Sequence, residues 1–320
     1  MGPLAGEGRR EPVCGRRDDT APLAGAGATP ALQVERRWTW GAHGLAERPR
    51  LRSRWLPAAP RYAGGVNPQT DSLALDAGRL QRLLWAAANA VQFAFTLAWT
   101  AGWIALALAV WALSGGRRRV PLRMASRCWA PGLLWGAGAR CEVEGAERVD
   151  WSRPYVLVAN HESVIDICAL FRAVPAPLHF LLKQEMRRVP FVGWYARAMG
   201  MVFIPRENRR AAADSLRRSA ALVRDGAILC IFPEGTRSRD GVVAPFRPGA
   251  FQTALAAGAE VLPVALAGTG AVLPPDGLFR VRPGTIRVRI GTPIPTAGRD
   301  RQALAGEARE QVLALLARRG

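Results

Sequence analysis

The chain has 320 residues, 49% of them hydrophobic, and a formal net charge of +19 at neutral pH. This length suffices for one large domain with an appendage. Lys183 is the only lysine, so nearly all the positive charge is arginine, whose planar fork suits phosphate. The charge admits nucleic acid, an anionic membrane face or a phosphorylated substrate as partner. A GC-rich coding bias would raise arginine equally well. No nucleic-acid-binding motif or aromatic-basic platform accompanies the charge, so no nucleic acid is expected.

Residues 1–78 are rich in Gly, Pro, Ala and Arg without periodicity. Such a stretch buries too little apolar surface to offset its ordering entropy, and a disordered basic extension is expected. An overlong gene assignment would explain it too. No apolar run follows its arginine pairs, so no signal or twin-arginine leader is expected. The opening Met-Gly-Pro-Leu-Ala-Gly lacks the Ser or Thr of a myristoylation site.

From Leu83 to Leu113 there is no charged residue. Roughly 20 apolar residues cross a bilayer, so this run is long enough, straight and tilted or bent near Gly102. Arg117, Arg118, Arg119, Arg123 and Arg127 follow, which favours a cytoplasmic position for the next domain. Arg79 and Arg82 at the other end blur that signal. A second patch, Trp129-Ala-Pro-Gly-Leu-Leu-Trp135, is too short to span, so two helices lying in one leaflet are the rival arrangement. Residues 79–138 are thus read as membrane-anchoring helices.

Over residues 139–320, short apolar runs alternate with helical stretches. Strands are expected at 155–159, 178–182, 201–204, 227–232, 261–267 and 285–291. Helices are expected at 163–173, 191–199, 207–224, 248–257 and 301–318. This alternation predicts an α/β domain, a mostly parallel central sheet flanked by helices. Five cysteines (Cys14, Cys128, Cys141, Cys168, Cys230) form no CxxC pair and no zinc spacing, which argues for a reducing compartment. Cys168 and Cys230 fall in apolar runs and read as core. No metal site or cofactor is expected.

Three clusters follow strands, where open α/β sheets place their sites. In Asn160-His161-Glu162-Ser163-Val164-Ile165-Asp166, an imidazole can take a proton from a hydroxyl while an Asp one turn on holds its other nitrogen. The acceptor hydroxyl can then attack directly, with no Ser or Cys nucleophile. Three histidines among 25 acids make one such pair by chance unsurprising, and Ser163-x-x-Asp166 also reads as a helix capping box. In Phe232-Pro233-Glu234-Gly235-Thr236-Arg237-Ser238, Arg237 is placed to grip a phosphate, with Glu234 orienting it or meeting the acceptor. A surface turn with an exposed ion pair is the plainer reading. Phe203-Ile204-Pro205-Arg206 supplies a second guanidinium.

Together these blocks resemble the glycerophosphate acyltransferase family, which includes the 1-acyl-glycerol-3-phosphate acyltransferases. Its N-H-x-S-x-x-D block is matched by Asn160, His161, Ser163 and Asp166. Its F-P-E-G-T-R-S block is matched in full by residues 232–238. An aromatic-basic-x-Gly turn matches Phe246-Arg247-Pro248-Gly249, and an apolar strand with central proline matches Val261-Leu262-Pro263-Val264. Pro205 stands where an acid is usual, and Val164 where a bulkier residue is.

The resemblance implies His161 as general base and Asp166 as its orienting partner. It implies Arg206, Glu234, Gly235, Thr236 and Arg237 around the acceptor phosphate. Asn160, Ser163, Lys183, Gly249 and Pro263 would support the site. Backbone amides at the helix start near 161–164 are one option for steadying an oxyanion. The implied reaction moves an acyl group from acyl-CoA or acyl carrier protein to the free hydroxyl of 1-acyl-glycerol-3-phosphate, giving phosphatidic acid, at a cytoplasmic membrane face. A lyso-ornithine lipid or another lysophospholipid is an alternative acceptor, and a non-catalytic membrane-binding protein an alternative class.

Overall fold

A computed structural model describes residues 68–205, 207–275 and 280–318, with side chains from residue 81 onward, Arg209 apart. Most of the expected disordered extension lies outside the described residues. Its last part does not fit that expectation, because helix α1 (Pro68–Leu113) already begins there. The polar composition of these first turns hides their helical continuation. The helix runs 46 residues, about 69 Å at 1.5 Å per residue, without a break at Gly102. Its stretch Gln81–Leu113 is long and apolar enough to cross a membrane, and only 11% of that stretch's apolar window is buried.

Helix α2 (Arg119–Met124), a π-helical turn (Ala125–Trp129) and α3 (Ala130–Gly136) follow as one rod that packs against α1. Two small residues let the helices approach. A Cβ on Gly132 would come within 2.3 Å of the Trp99 ring, and one on Gly136 within 2.3 Å of Phe95. The indoles also find polar partners: Trp99 Nε1 donates to the Trp129 carbonyl at 3.1 Å, and Trp129 Nε1 to Thr100 Oγ1 at 3.3 Å.

The sheet comprises β1 (Ala139–Glu144), β2 (Tyr155–Ala159), β3 (Leu178–Lys183), β4 (Val202–Ile204), β5 (Ile228–Ile231), β6 (Glu260–Ala267) and β7 (Gly284–Ile290). Their order is β1-β7-β6-β2-β5-β3-β4. The strands from β6 to β4 are all parallel; β7 runs antiparallel to β6, and β1 parallel to β7. All five residues of β2 are buried, which is why that strand reads as an unbroken apolar run. Edge strand β1 was not expected: Ala-Arg-Cys-Glu-Val-Glu alternates and is half solvated, and its acids pair with Arg287 and Arg289 of β7, each at 3.2 Å.

Helices α4 (Asp166–Ala173), α5 (Val192–Ala198), α6 (Arg209–Arg224), α7 (Gln252–Ala257), α8 (Thr269–Val272) and α9 (Arg301–Ala317) flank the sheet. Asn208 caps α6 by accepting from Ala211 N at 3.0 Å, and Asp300 caps α9 by accepting from Ala303 N at 3.0 Å. Alternation along β2 divides the core. Leu157 and Ala159 face the layer containing Leu122, Leu133 and Phe171, whereas Val156 and Val158 face Phe251, Leu304 and Val312. Helices α2, α3 and α4 thus cover one face, and α7 and α9 the other.

Candidate active site

The five parallel strands end on one edge of the sheet, and the sequence clusters follow those ends. Strand β2 delivers Asn160 and His161. Its neighbour β5 delivers residues 232–238, and β3 ends at Lys183. Asn160 is buried and pins this exit to β6: its amide donates to the Leu266 carbonyl and accepts from Leu266 N, both at 2.8 Å.

His161 Nδ1 lies 2.7 Å from Asp166 Oδ2. The same carboxylate oxygen accepts from the N–H groups of Glu162 at 2.9 Å and Ser163 at 3.0 Å. Asp166 is fully buried at the first turn of α4, so it cannot swing away, while the imidazole is 19% exposed. With the acid as acceptor, Nδ1 carries the proton and Nε2 is left to accept one. Among the described residues Nε2 has no protein partner. Phe232 stacks on the ring at 4.0 Å between centroids and fixes its plane. The other described histidine, His179, is buried in β3, and burial pushes its pKa down to about 4. It is therefore uncharged near neutrality.

The capping-box reading is half realised. Ser163 N donates to Asp166, but Ser163 Oγ donates outward to the Leu273 carbonyl at 2.6 Å. The serine thus ties the histidine turn to the segment after α8.

Glu234 departs from the expected contact with an acceptor. It is 3% exposed, and its oxygens accept the N–H groups of His161 at 2.8 Å and Ala244 at 2.9 Å. Burial raises its pKa, opposed by those two amides. Its carboxylate is spent on holding two loops rather than turned outward to a ligand. Ser238 N completes the stitch by donating to the His161 carbonyl at 2.7 Å.

Gly235 is required by its backbone: φ is +76°, and a Cβ there would sit 2.9 Å from Arg247 Nε. Arg247 escaped notice as a site residue. Its Nε donates to the Glu234 carbonyl at 3.2 Å, and its N–H to the Pro233 carbonyl at 3.0 Å. The Phe-Arg-Pro-Gly turn was the available signal.

Thr236 and Arg237 are exposed, and Arg237 has no ion pair or hydrogen bond among the described residues. Arg206 lies outside the described residues. Lys183 is exposed and paired with Glu185 at 3.3 Å. Gly249 has open space around it, so no neighbouring protein atom demands glycine there. Pro263 is buried opposite Val158 of β2, and its carbonyl accepts from Gly291 N at 2.8 Å on the β7 side. The missing N–H faces that same side, so the proline costs β6 no bond to β2.

Three of the four amides expected to steady an oxyanion are engaged: that of His161 by Glu234, and those of Glu162 and Ser163 by Asp166. Only the Val164 N–H lacks an acceptor among the described residues. Val164 is 43% exposed, and with Ile165 it lines an apolar cavity of about 310 Å³. Thr96, Trp103 and Ala107 of α1 form another wall, and Phe171 and Tyr195 belong to the same lining. The cavity therefore joins the histidine turn to the apolar helix. Buried thiols are poor nucleophiles: burial pushes Cys168 up to about 12 and Cys230 well above its ordinary value.

Residues 140–267 match the family model described as Acyltransferase. These residues are thus similar to an acyltransferase domain. A 1-acyl-sn-glycerol-3-phosphate acyltransferase of Saccharomyces cerevisiae is 31% identical over 201 residues, covering 62% of this chain and 65% of that protein. A chloroplastic 1-acyl-sn-glycerol-3-phosphate acyltransferase of Brassica napus is 36% identical over 174 residues, 54% of this chain and 50% of its own. The chain spans about half the length of the plant and algal relatives it matches. The crystal structure of the 1-acyl-sn-glycerophosphate (LPA) acyltransferase from Thermotoga maritima superposes with a TM-score of 0.64 at 27% identity, over 76% of this chain and 99% of that one. The matched region holds His161, Asp166 and residues 232–238.

Proposed function

We propose that the chain transfers a fatty acyl group from acyl-CoA or acyl carrier protein to the free hydroxyl of 1-acyl-glycerol-3-phosphate, giving phosphatidic acid. The observation that carries this reading is the 2.7 Å contact between His161 Nδ1 and buried Asp166, beside an apolar cavity lined by α1. Relatives named for this activity support the choice of acceptor.

In this mechanism Nε2 of His161 takes the acceptor's hydroxyl proton as the oxygen attacks the thioester carbonyl. Asp166 holds the ring and stabilises the imidazolium that forms. The tetrahedral oxyanion collapses, the C–S bond breaks, and the imidazolium returns its proton to the leaving thiolate. Arg237, with Arg206, would hold the acceptor phosphate, while the Gly235–Thr236 backbone shapes the loop. The apolar cavity would take an acyl chain. Helix α1 would attach the domain to a membrane, and the arginines at 117–127 favour its cytoplasmic face.

Purified protein given lysophosphatidic acid and acyl-CoA, with products resolved by lipid class, tests the proposal. Phosphatidic acid with release of free thiol is the expected outcome. No thioester cleavage with either donor would refute it, and acylation of another lysolipid instead would move the acceptor.

A further inference from the structure

A second cavity, of about 1080 Å³, lies between the N-terminal half of α1 and residues 280–282. It is built differently from the apolar one. Arg82, Arg280 and Arg282 line it with Gln81, Trp85 and Asn89, and no acid does among the described residues. All three arginines are exposed, and none forms an ion pair among the described residues. Guanidinium groups gathered around one concavity attract an anion, and their geometry favours phosphate.

The cavity is held in shape by side-chain and backbone contacts. Asn89 Oδ1 accepts from Val281 N at 3.0 Å, tying α1 to this segment, and Arg282 N donates to the Val272 carbonyl at 2.8 Å. Its position on the helix is also informative. Arg82 is the last charge before the uncharged stretch that begins at Leu83, and Trp85 lies one turn further on. An arginine and a tryptophan flanking an apolar helix are suited to the headgroup level. Val281 lines both cavities, so the cationic one adjoins apolar space.

We propose that this cavity binds the phosphate of an anionic bilayer glycerophospholipid, with Arg82, Arg280 and Arg282 around the headgroup and its acyl chains along α1. The site is separate from the His161 centre. Its occupant would fasten the helix to the acyltransferase domain. A free phosphate would satisfy the arginines alone; the volume and the apolar lining by Ala86, Ala90 and Phe93 of α1 favour the lipid.

The test uses the detergent-solubilised full chain titrated with phosphatidylglycerol, which is neither acceptor nor product of the proposed reaction, with bound lipid read by native mass spectrometry. One phosphatidylglycerol should bind in preference to phosphatidylcholine. Arg280→Gln/Arg282→Gln should weaken it about thirtyfold, from the contribution of two basic groups at an anionic lipid surface. The charge-matched Arg217→Gln/Arg218→Gln pair on α6 should change it little. Arg82→Gln repeats the measurement should the first pair fold poorly. Unchanged binding in the cavity variants, equal loss in both pairs, or competition by inorganic phosphate at comparable concentration would each overturn the proposal. Because the readout is binding without turnover, it can fail or succeed independently of the acyl-transfer reading.

Discussion

His161 and Glu234 are joined backbone to side chain: the His161 N–H donates to Glu234 Oε1 at 2.8 Å. The other Glu234 oxygen accepts from Ala244 N, and Ser238 N returns a bond to the His161 carbonyl. The histidine at the end of β2 is thus positioned by the loop that leaves β5. Asp166 sets the ring's orientation; Glu234 sets where its backbone lies.

Glu234→Ala should therefore be costly in two ways. It leaves two amides without their acceptor, each unsatisfied buried group costing about 1–3 kcal/mol. It also frees His161 to drift. Thermal unfolding and kcat should both fall, and Glu234→Gln, which keeps the shape and one acceptor, should fall less. A fully stable and active Glu234→Ala would show that the clamp is dispensable.

Asp166→Asn tests the orienting bond by itself. The substitution keeps the size but offers an amide in place of a carboxylate facing Nδ1, which disfavours the productive tautomer. A loss of about 10⁴ in kcat is expected, the scale of such a change in a histidine–aspartate pair. Acceptor KM should move far less. A large rise in KM with kcat preserved would argue for a binding role instead.

The apolar cavity gives a chain-length prediction. Ala196 is buried and lines it. Enlarging it to Leu should lower turnover with long acyl donors more than with short ones, at an overpacking cost of about 1–3 kcal/mol. Activity across a donor series measures this, and a parallel loss at every length would remove the cavity from the acyl path.

Burial raises the pKa of the Glu162 carboxyl, opposed by the Gly270 N–H. A raised folded-state value means the folded chain holds the proton more tightly than the unfolded chain. The contribution to stability is fully present below the ordinary carboxylate value of 4.5 and is lost as pH rises through the folded value. Glu162→Gln should be more stable than the parent near neutrality, with the difference shrinking as pH falls to about 4.5. Unfolding midpoints across that range check the sign. A difference that grew on acidification would mean the carboxylate is stabilising.

Much of this arrangement was legible because continuous apolar runs followed by Asn-His or Phe-Pro-Glu mark buried parallel strands and their functional ends. Strand β2 falls at residues 155–159 as expected for this reason. What escaped notice lacked a local signal. Edge strand β1 carries alternating charges, and α8 is only four residues long. Strand β7 reads the same whether it pairs parallel or antiparallel. Glu234 looked like a ligand contact because sequence does not reveal that a carboxylate is buried against amides. The two cavities draw on residues far apart in the chain, so only the folded arrangement brings them together.

The most direct measurement of the central claim is the turnover of His161→Ala with lysophosphatidic acid and acyl-CoA, alongside its thermal unfolding. The account predicts a folded protein whose kcat falls by at least about a hundredfold, the lower end for removing a general base. A folded variant turning over at close to the parent rate would contradict it.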